Sequence, residues 1–276
     1  MLADIVDRLR CPICRRPVRQ AATTVGCEQG HSFDVARQGY VSLLAGSQPP
    51  GTADTPAMVA ARAAFLAAGH YAPLARAVAA TVAALSPEFV VDAGAGTGYY
   101  LAETLDAVPG ATGMAFDISK HAVKRAARAH ERAGAFVADV WQPLPIADGV
   151  ADVVLDVFAP RNGPEFARIL RPGGTLVVVT PAPGHLSPLV AELGLLSVDE
   201  AKEERVARSL AGFAETGRQE VRFGMELSPE EIAQVVGMGP SAWHTDMSHL
   251  MERLAKFPDL TATRAVFHLS TFSALS

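Results

Sequence analysis

Three thiols and an imidazole stand out first. Cys11-x2-Cys14 is followed by twelve residues and then by Cys27-x3-His31, and these are all the cysteines of the chain. Three thiolates and one imidazole satisfy tetrahedral zinc, each close pair forming a knuckle on one ion. Four protein ligands leave no open position, so such a site is structural rather than catalytic. An odd, clustered set of cysteines suits a metal better than a disulfide framework. The competing reading is three free thiols beside an unrelated histidine. Arg8, Arg10, Arg15, Arg16, Arg19 and Arg37 surround the cluster. They read equally as a phosphate-contacting surface and as ordinary solvated arginines.

A second constellation is Val90-Val91-Asp92-Ala93-Gly94-Ala95-Gly96-Thr97-Gly98, an apolar run entering a D-x-G-x-G-x-G turn. Glycines suit a backbone that bends sharply and closely approaches a ligand. About 20 residues beyond the turn, Asp117 ends the next apolar run, where a carboxylate accepts hydrogen bonds from ribose hydroxyls. It could equally cap a helix beginning at Ser119. A dinucleotide and S-adenosylmethionine both fit so far. Asp92, opening the turn, favours the second, because an acid suits a sulfonium and an amino group better than a pyrophosphate. Asp139, beside Trp141, is placed for adenine, its carboxylate toward the exocyclic amine; Trp141 reads alternatively as core. Leu170-Arg171-Pro172-Gly173-Gly174 before a buried run resembles the corresponding stretch of class I methyltransferases.

The elements that must position these residues alternate. Residues 1–44 carry short strand-like pieces and form a zinc-binding module. Residues 45–57 concentrate Pro, Gly, Ser and Thr as a linker. A domain spanning 58–276 follows. Two alanine-rich helices, broken near Gly69 and Pro73, cover 58–85. Strands are expected at 89–92, 112–116, 135–138, 150–157 and 174–180, and helices at 99–108 and 119–133. Strand and helix in turn call for a parallel sheet with helices on both faces. Residues 200–213 look helical. Ser228 reads as an N-cap with Pro229 first and Glu231 three residues on, and 265–272 as a closing strand in a late antiparallel hairpin. The fold class is therefore α/β, a Rossmann-like class I methyltransferase fold, mostly parallel with a late antiparallel strand, plus a small N-terminal zinc ribbon.

Apolar residues make up 49% and charged residues 19% of the 276, enough for a sizeable core. A net charge of -5 argues against a protein coated in positive charge for non-specific nucleic-acid binding. Charges interrupt the opening residues and no apolar run reaches membrane length, so a soluble, cytoplasmic protein is expected, with no membrane partner.

With knuckles and glycine turn in one chain, a resemblance comes into view. Cys11-Pro12-Ile13-Cys14, Cys27, Gly30-His31-Ser32-Phe33-Asp34 and Gly39-Tyr40-Val41-Ser42-Leu43-Leu44 look like the start of the RlmA group. Ala61-Arg62-Ala63-Ala64-Phe65-Leu66, Gly69-His70-Tyr71, Phe158-Ala159-Pro160, Thr180-Pro181 with His185-Leu186, and Met238-Gly239-Pro240-Ser241-Ala242-Trp243-His244 extend it over nearly the whole chain. These enzymes methylate N1 of a guanine in 23S ribosomal RNA. Phe158-Ala159-Pro160-Arg161-Asn162 and the stretch from Met238 to His244 make the chain most similar to the actinobacterial, Gram-positive-type branch that includes the TlrB-like macrolide-resistance enzymes. The resemblance implies zinc on Cys11, Cys14, Cys27 and His31, and cofactor contacts from Tyr71, Gly96, Thr97 and His185. It also implies a target in the hairpin 35 region, and a homodimer whose zinc modules flank the RNA. Asp117 follows from the general class I pattern, and Asp92, Gly94, Gly98 and Asp139 enter the cofactor site from the reading of the turn and its surroundings.

Guanine N1 carries a proton at neutral pH, so a base within hydrogen-bond reach is needed. Asp156, His185 and His244 are the candidates; Asp156, at the end of a strand, is chosen for the catalytic role, with pairing to a nearby arginine as its alternative. N1 lies on the pairing edge, so the base must be unpaired or flipped. Phe158 and Trp243 could stack on it, or be core. Lys120, Lys124, Arg125, Arg128 and Arg132 read better as a solvated face than as a phosphate track. Two rival functions fit the same residues: a small-molecule methyltransferase with a structural zinc ribbon, and a non-catalytic RNA-binding protein that retains the cofactor fold.

Overall fold

The computed structural model describes residues 1–44, 53–194, 207–239, 242 and 245–275. Most of the expected linker, the first half of the helix expected over 200–213, and Trp243 and His244 lie outside the described residues.

Two single 3-10 turns, Leu2–Asp4 and Val6–Arg8, open the chain, followed by strands β1 (Val18–Ala21), β2 (Thr24–Cys27), β3 (Ser32–Asp34) and β4 (Tyr40–Ser42). Helices α1 (Pro56–Ala67) and α2 (Ala72–Ala83) come next. The alternating core runs β5 (Phe89–Ala93), α3 (Tyr99–Ala107), β6 (Thr112–Asp117), α4 (Lys120–Ala126), β7 (Ala133–Val137), β8 (Ala151–Val157), α5 (Gly163–Ile169) and β9 (Leu170–Pro181). The described chain closes with α6 (Leu189–Leu193), β10 (Phe213–Leu227), α7 (Pro229–Gly237), α8 (Met247–Leu254) and β11 (Thr261–Ala274).

Strands β1, β2 and β3 form a small antiparallel sheet; the other eight form one large sheet in the order β10-β11-β9-β8-β5-β6-β7-β4. β11 is antiparallel to both neighbours, and the remaining pairs are parallel. This is the alternating, mostly parallel sheet with a late antiparallel strand that the sequence pattern predicts. β5 is flanked by β6 on one side and β8 on the other, which makes its carboxyl end a topological switch point, the position where open α/β sheets bind ligands.

Each face of the sheet has its own core. One joins Phe65, Leu74, Leu101, Val123, Ile232 and Leu250 of the helices to Val90, Val153 and Leu155 of the strands. The other joins Leu2, Ile5, Leu9, Val18 and Val25 to Val91, Phe116, Phe136, Val154 and Phe166. The N-terminal segment thus shares the second face of the sheet with α5. Gly134 of β7 permits this close approach, since a Cβ there would lie 2.6 Å from Ile5 Cδ1 and 2.9 Å from the Met1 carbonyl oxygen. β4 pairs in parallel with β7, Val41 beside Phe136. The first 44 residues are therefore continuous in packing with the large domain, although the sequence suggests a separate module.

Other boundaries shift for identifiable reasons. Thr55, expected in the linker, caps α1, its side chain accepting from the Met58 N–H, and Pro56 is the first helical residue. The helix expected over 119–133 ends at Ala126. Arg132 instead turns its guanidinium onto the carbonyls of Leu105, Val108 and Ala111, capping the end of α3, and Ala133 enters a buried strand. Local helix propensity is overridden there by tertiary contacts. Phe213, expected at a helix end, begins β10, which sequence reasoning did not locate. Its exposed Glu215, Arg218, Glu220 and Arg222 give it the charged surface of an edge strand, while Val221, Phe223, Met225 and Leu227 alternate toward the core along its second half. The capping box of Ser228 and Glu231 forms as expected. No helix among the described residues is long and apolar enough to cross a membrane.

Candidate active site and metal centre

The metal ligands converge. The Sγ atoms of Cys11, Cys14 and Cys27 and a ring nitrogen of His31 all lie within 4.8 Å of one another. Cys11 Sγ is 3.5 Å and Cys27 Sγ 3.4 Å from His31 Nδ1, and Cys14 Sγ is 3.6 Å from Cys27 Sγ. Tetrahedral zinc at ordinary bond lengths needs ligand atoms about 3.5–3.8 Å apart. The donor set and its spacing therefore fit zinc. Burial opposes ionisation of Cys27, but backbone donors at Gln29 and His31, with the Cys14 and His31 side chains, outweigh it and bring the thiol down to about 6. A thiolate is the form a metal takes.

Two of the surrounding arginines, Arg8 and Arg15, reach the large domain. Arg8 lies over the Phe89 ring at 4.2 Å, Arg10 donates to the Asp7 and Leu9 carbonyls, and Arg15 donates to the Leu144 carbonyl at 2.7 Å. Arg16 pairs with Glu28 at 3.2 Å. Arg19 and Arg37 make no ion pair or side-chain hydrogen bond among the described residues. Arg8 and Arg15 thus tie the module to the large domain, while Arg16 and Glu28 pair at the exposed surface.

The glycine turn leaves the carboxyl end of β5 with Gly94, Gly96 and Gly98 at φ of +68°, +55° and +80°. Gly94 is the tightest: a Cβ there would lie 2.5 Å from Ala159 Cβ. That contact bolts the turn against the loop that follows β8. Thr97 sits half-buried between the second and third glycines. Asp117, at the end of β6, braces the turn, Oδ2 accepting from the Gly96 N–H at 2.9 Å and Oδ1 from the Ser119 N–H at 2.8 Å. Burial outweighs these donors and raises its pKa above the usual carboxylate value. Each oxygen has a second lone pair, so helix capping and ribose binding, alternatives from the sequence, are compatible.

Asp92 is 2% exposed. Burial, with the nearby charge of Asp117 adding to it, pushes its pKa up to about 7. A cation beside it would restore the charged form. The folded protein without such a cation binds a proton that the unfolded chain releases near pH 4, so Asp92 reduces stability as pH rises from about 4 to 7. A positively charged ligand reverses the sign. S-adenosylmethionine is expected to bind roughly tenfold more tightly at pH 7.5 than at pH 5.5, and Asp92→Asn to remove that dependence. Calorimetric titration across pH checks this; an unchanged slope in the variant contradicts it.

An aromatic wall completes the crevice. Tyr71 is buried, its hydroxyl 3.4 Å from His185 Nε2, while His185 Nδ1 accepts from the Val266 N–H. An accepting Nδ1 leaves the proton of the neutral ring on Nε2. Phe158 stands at the mouth, 40% exposed, with φ of +61°. Its ring centroid is 5.3 Å from that of Phe267 and 6.2 Å from that of Tyr100. The Tyr100 hydroxyl is buried with no hydrogen-bond partner among the described residues. An unpartnered hydroxyl, a buried acid and a glycine cradle fit a nucleoside bearing a cation.

Asp139 is half-buried beyond the end of β7, its carboxylate accepting from the Trp141 N–H at 3.0 Å. Trp141 is 61% exposed, so the core reading is corrected. Asp156 is wholly buried at the end of β8, 3.3 Å from Arg161 Nε, and both its oxygens are shut from solvent. Burial raises its pKa well above the usual value, against the pull of Arg161. Sequence reasoning missed Asp54 and Arg62, which stand over the glycine turn. Their neighbours Thr55 and Pro56, an N-cap ahead of Pro at the first helical position, were the available signal.

Residues 9–48 match the family model for the RlmA N-terminal zinc ribbon, and residues 90–174 match that of a methyltransferase domain. The 23S rRNA (guanine(748)-N(1))-methyltransferase of Streptomyces fradiae is 51% identical, covering 94% of each chain. A Micromonospora griseorubida protein, named for the same 23S rRNA (guanine-N1) methylation, is 50% identical over 96% of this chain and 97% of its own. YxjB of Bacillus subtilis, also named for that activity, is 30% identical over 85% of this chain and 86% of its own.

Proposed function

The chain belongs to the 23S rRNA (guanine-N1)-methyltransferases, and from that premise we propose that it methylates N1 of a guanine in the hairpin 35 region of 23S ribosomal RNA. The observation that carries this reading is similarity near 50% along almost the whole chain, spanning both knuckles and crevice.

S-adenosylmethionine, when bound, supplies an electrophilic methyl group on a sulfonium. The chain's residues hold it: Asp92 toward the cationic end, Gly94, Gly96, Thr97 and Gly98 beneath, Asp117 toward the ribose, Asp139 toward the adenine, and Tyr71 and His185 along the wall. Positioning the two reactants in line can lower the barrier by roughly 7–11 kcal/mol at best. The guanine enters over the mouth at Phe158, out of its stack. Asp156 stands at the reacting end of β8 with raised proton affinity. To accept the N1 proton it must first release its own, and Arg161, whose charge favours the ionised form, is the group beside it that promotes this. His185 serves as a wall, both ring nitrogens being engaged. We extend the reading to a homodimer whose zinc modules flank the RNA, to the cytoplasm as its location, and to a macrolide-resistance role shared with the TlrB-like branch.

Incubation of a 23S fragment containing hairpin 35 with zinc-loaded protein and S-adenosylmethionine, followed by primer extension, tests this. A new reverse-transcriptase stop at a guanine of that hairpin is expected, because a methyl on N1 blocks pairing. No stop anywhere overturns the RNA assignment.

A further inference from the structure

Arg62 belongs to α1, yet its guanidinium lies over the glycine turn. Its Nη1 is 3.4 Å from the position that a Cβ on Gly96 would take. Two contacts hold it there: Nη2 donates to the Met238 carbonyl at 2.8 Å, and Nη1 pairs with the Asp54 carboxylate. Asp54 is itself pinned, its carbonyl accepting from Ser119 Oγ at 2.8 Å, next to the Asp117 brace. The arginine side chain is 25% exposed, neither buried in the core nor free in solvent. The carboxylates of Asp54 and Asp117 stand near it. The pair with Asp54 and the bond to Met238 each occupy one Nη, while a guanidinium carries five N–H donors in a planar fork suited to a carboxylate.

A nucleoside seated with its ribose at Asp117 and its cationic centre at Asp92 carries an amino-acid tail along the glycine turn. That tail ends in a carboxylate. We propose that Arg62 binds this α-carboxylate, Asp54 yielding the guanidinium to it on binding. The inference rests on the cofactor reading above and adds the residue that recognises the methionine half of the ligand. The amino group and the carboxylate of that half are then held separately, the first by Asp92 and the second by Arg62.

Two ligands separate this role from a purely structural one. S-adenosylhomocysteine carries the carboxylate; 5′-methylthioadenosine has the same nucleoside and sulfur without the amino-acid tail. Calorimetric titration of Arg62→Met is expected to weaken S-adenosylhomocysteine at least 30-fold, while 5′-methylthioadenosine changes less than threefold. Arg62→Lys restores part of the first affinity. Asp54→Asn, which leaves Arg62 in place and removes its competitor, is expected to tighten S-adenosylhomocysteine severalfold without altering 5′-methylthioadenosine. Equal loss of both ligands in Arg62→Met, or weaker S-adenosylhomocysteine binding in Asp54→Asn, overturns the proposal. Should the unaltered protein bind S-adenosylhomocysteine while Arg62→Met binds it equally well, Arg62 is wrong and the cofactor reading stands; binding by neither protein ends the cofactor reading itself.

Discussion

Gly94→Ala is expected to lose roughly 2–4 kcal/mol of folding stability and at least tenfold in affinity for S-adenosylhomocysteine. Two costs combine. The backbone holds φ of +68°, where an L side chain is strained, and the new Cβ would stand 2.5 Å from Ala159 Cβ. Neither side can yield easily. Gly94 follows a strand buried along its whole length, and Ala159 follows β8 in the loop carrying Phe158. Chemical denaturation reads the loss. Adding Ala159→Gly should recover the packing part and leave the backbone part, a non-additivity that a double-mutant cycle measures. A loss below about 0.5 kcal/mol, the usual range for sites without a special constraint, would mean that the turn and the β8 loop are not in contact.

Loss of zinc should have the larger reach. Cys11 is wholly buried and belongs to the core on the second face of the sheet, with Leu9, Val25, Phe116 and Phe136. Structural zinc contributes about 10–16 kcal/mol of binding free energy to small modules at neutral pH. Cys11→Ser is therefore expected to release the metal, lower the thermal midpoint by roughly 10 °C or more, and cut RNA methylation at least 100-fold. No residue of the cofactor crevice comes from the module. Below the new midpoint, S-adenosylhomocysteine affinity should accordingly stay within about threefold. An unchanged midpoint and metal content would show that the four ligands hold nothing. Equal loss of RNA methylation and cofactor binding would show that the shared core couples the two sites fully.

The parts of the fold legible in the sequence are those encoded locally. The knuckle spacing, the D-x-G-x-G-x-G turn, the buried strands and the Ser228–Glu231 capping box each sit within a few residues, and each appears where expected. What escaped depends on distant partners. Arg132 ends a helix early because the carbonyls it serves lie on α3. β4 joins the large sheet because β7 presents a free edge and Gly134 admits the N-terminal segment. β10 is masked by the charged, exposed run from Glu215 to Glu220, although Val221, Phe223, Met225 and Leu227 alternate inward along its second half. Arg62 and Asp54 reach the glycine turn through the packing of α1, whose start the Thr55-Pro56 pair marks without telling where the helix docks. The contacts of Arg8 and Arg15 escaped for the same reason: their partners, Phe89 and Leu144, are far along the chain.

The crevice at the ends of β5 and β6 and the methyl acceptor are tested together by one measurement. Ribosomal RNA is incubated with the zinc-loaded protein and methyl-labelled S-adenosylmethionine, digested to nucleosides, and separated by chromatography with mass detection. Label is expected in 1-methylguanosine, in proportion to the RNA supplied. Label in any other nucleoside, or none in a protein that binds the cofactor, would contradict the account.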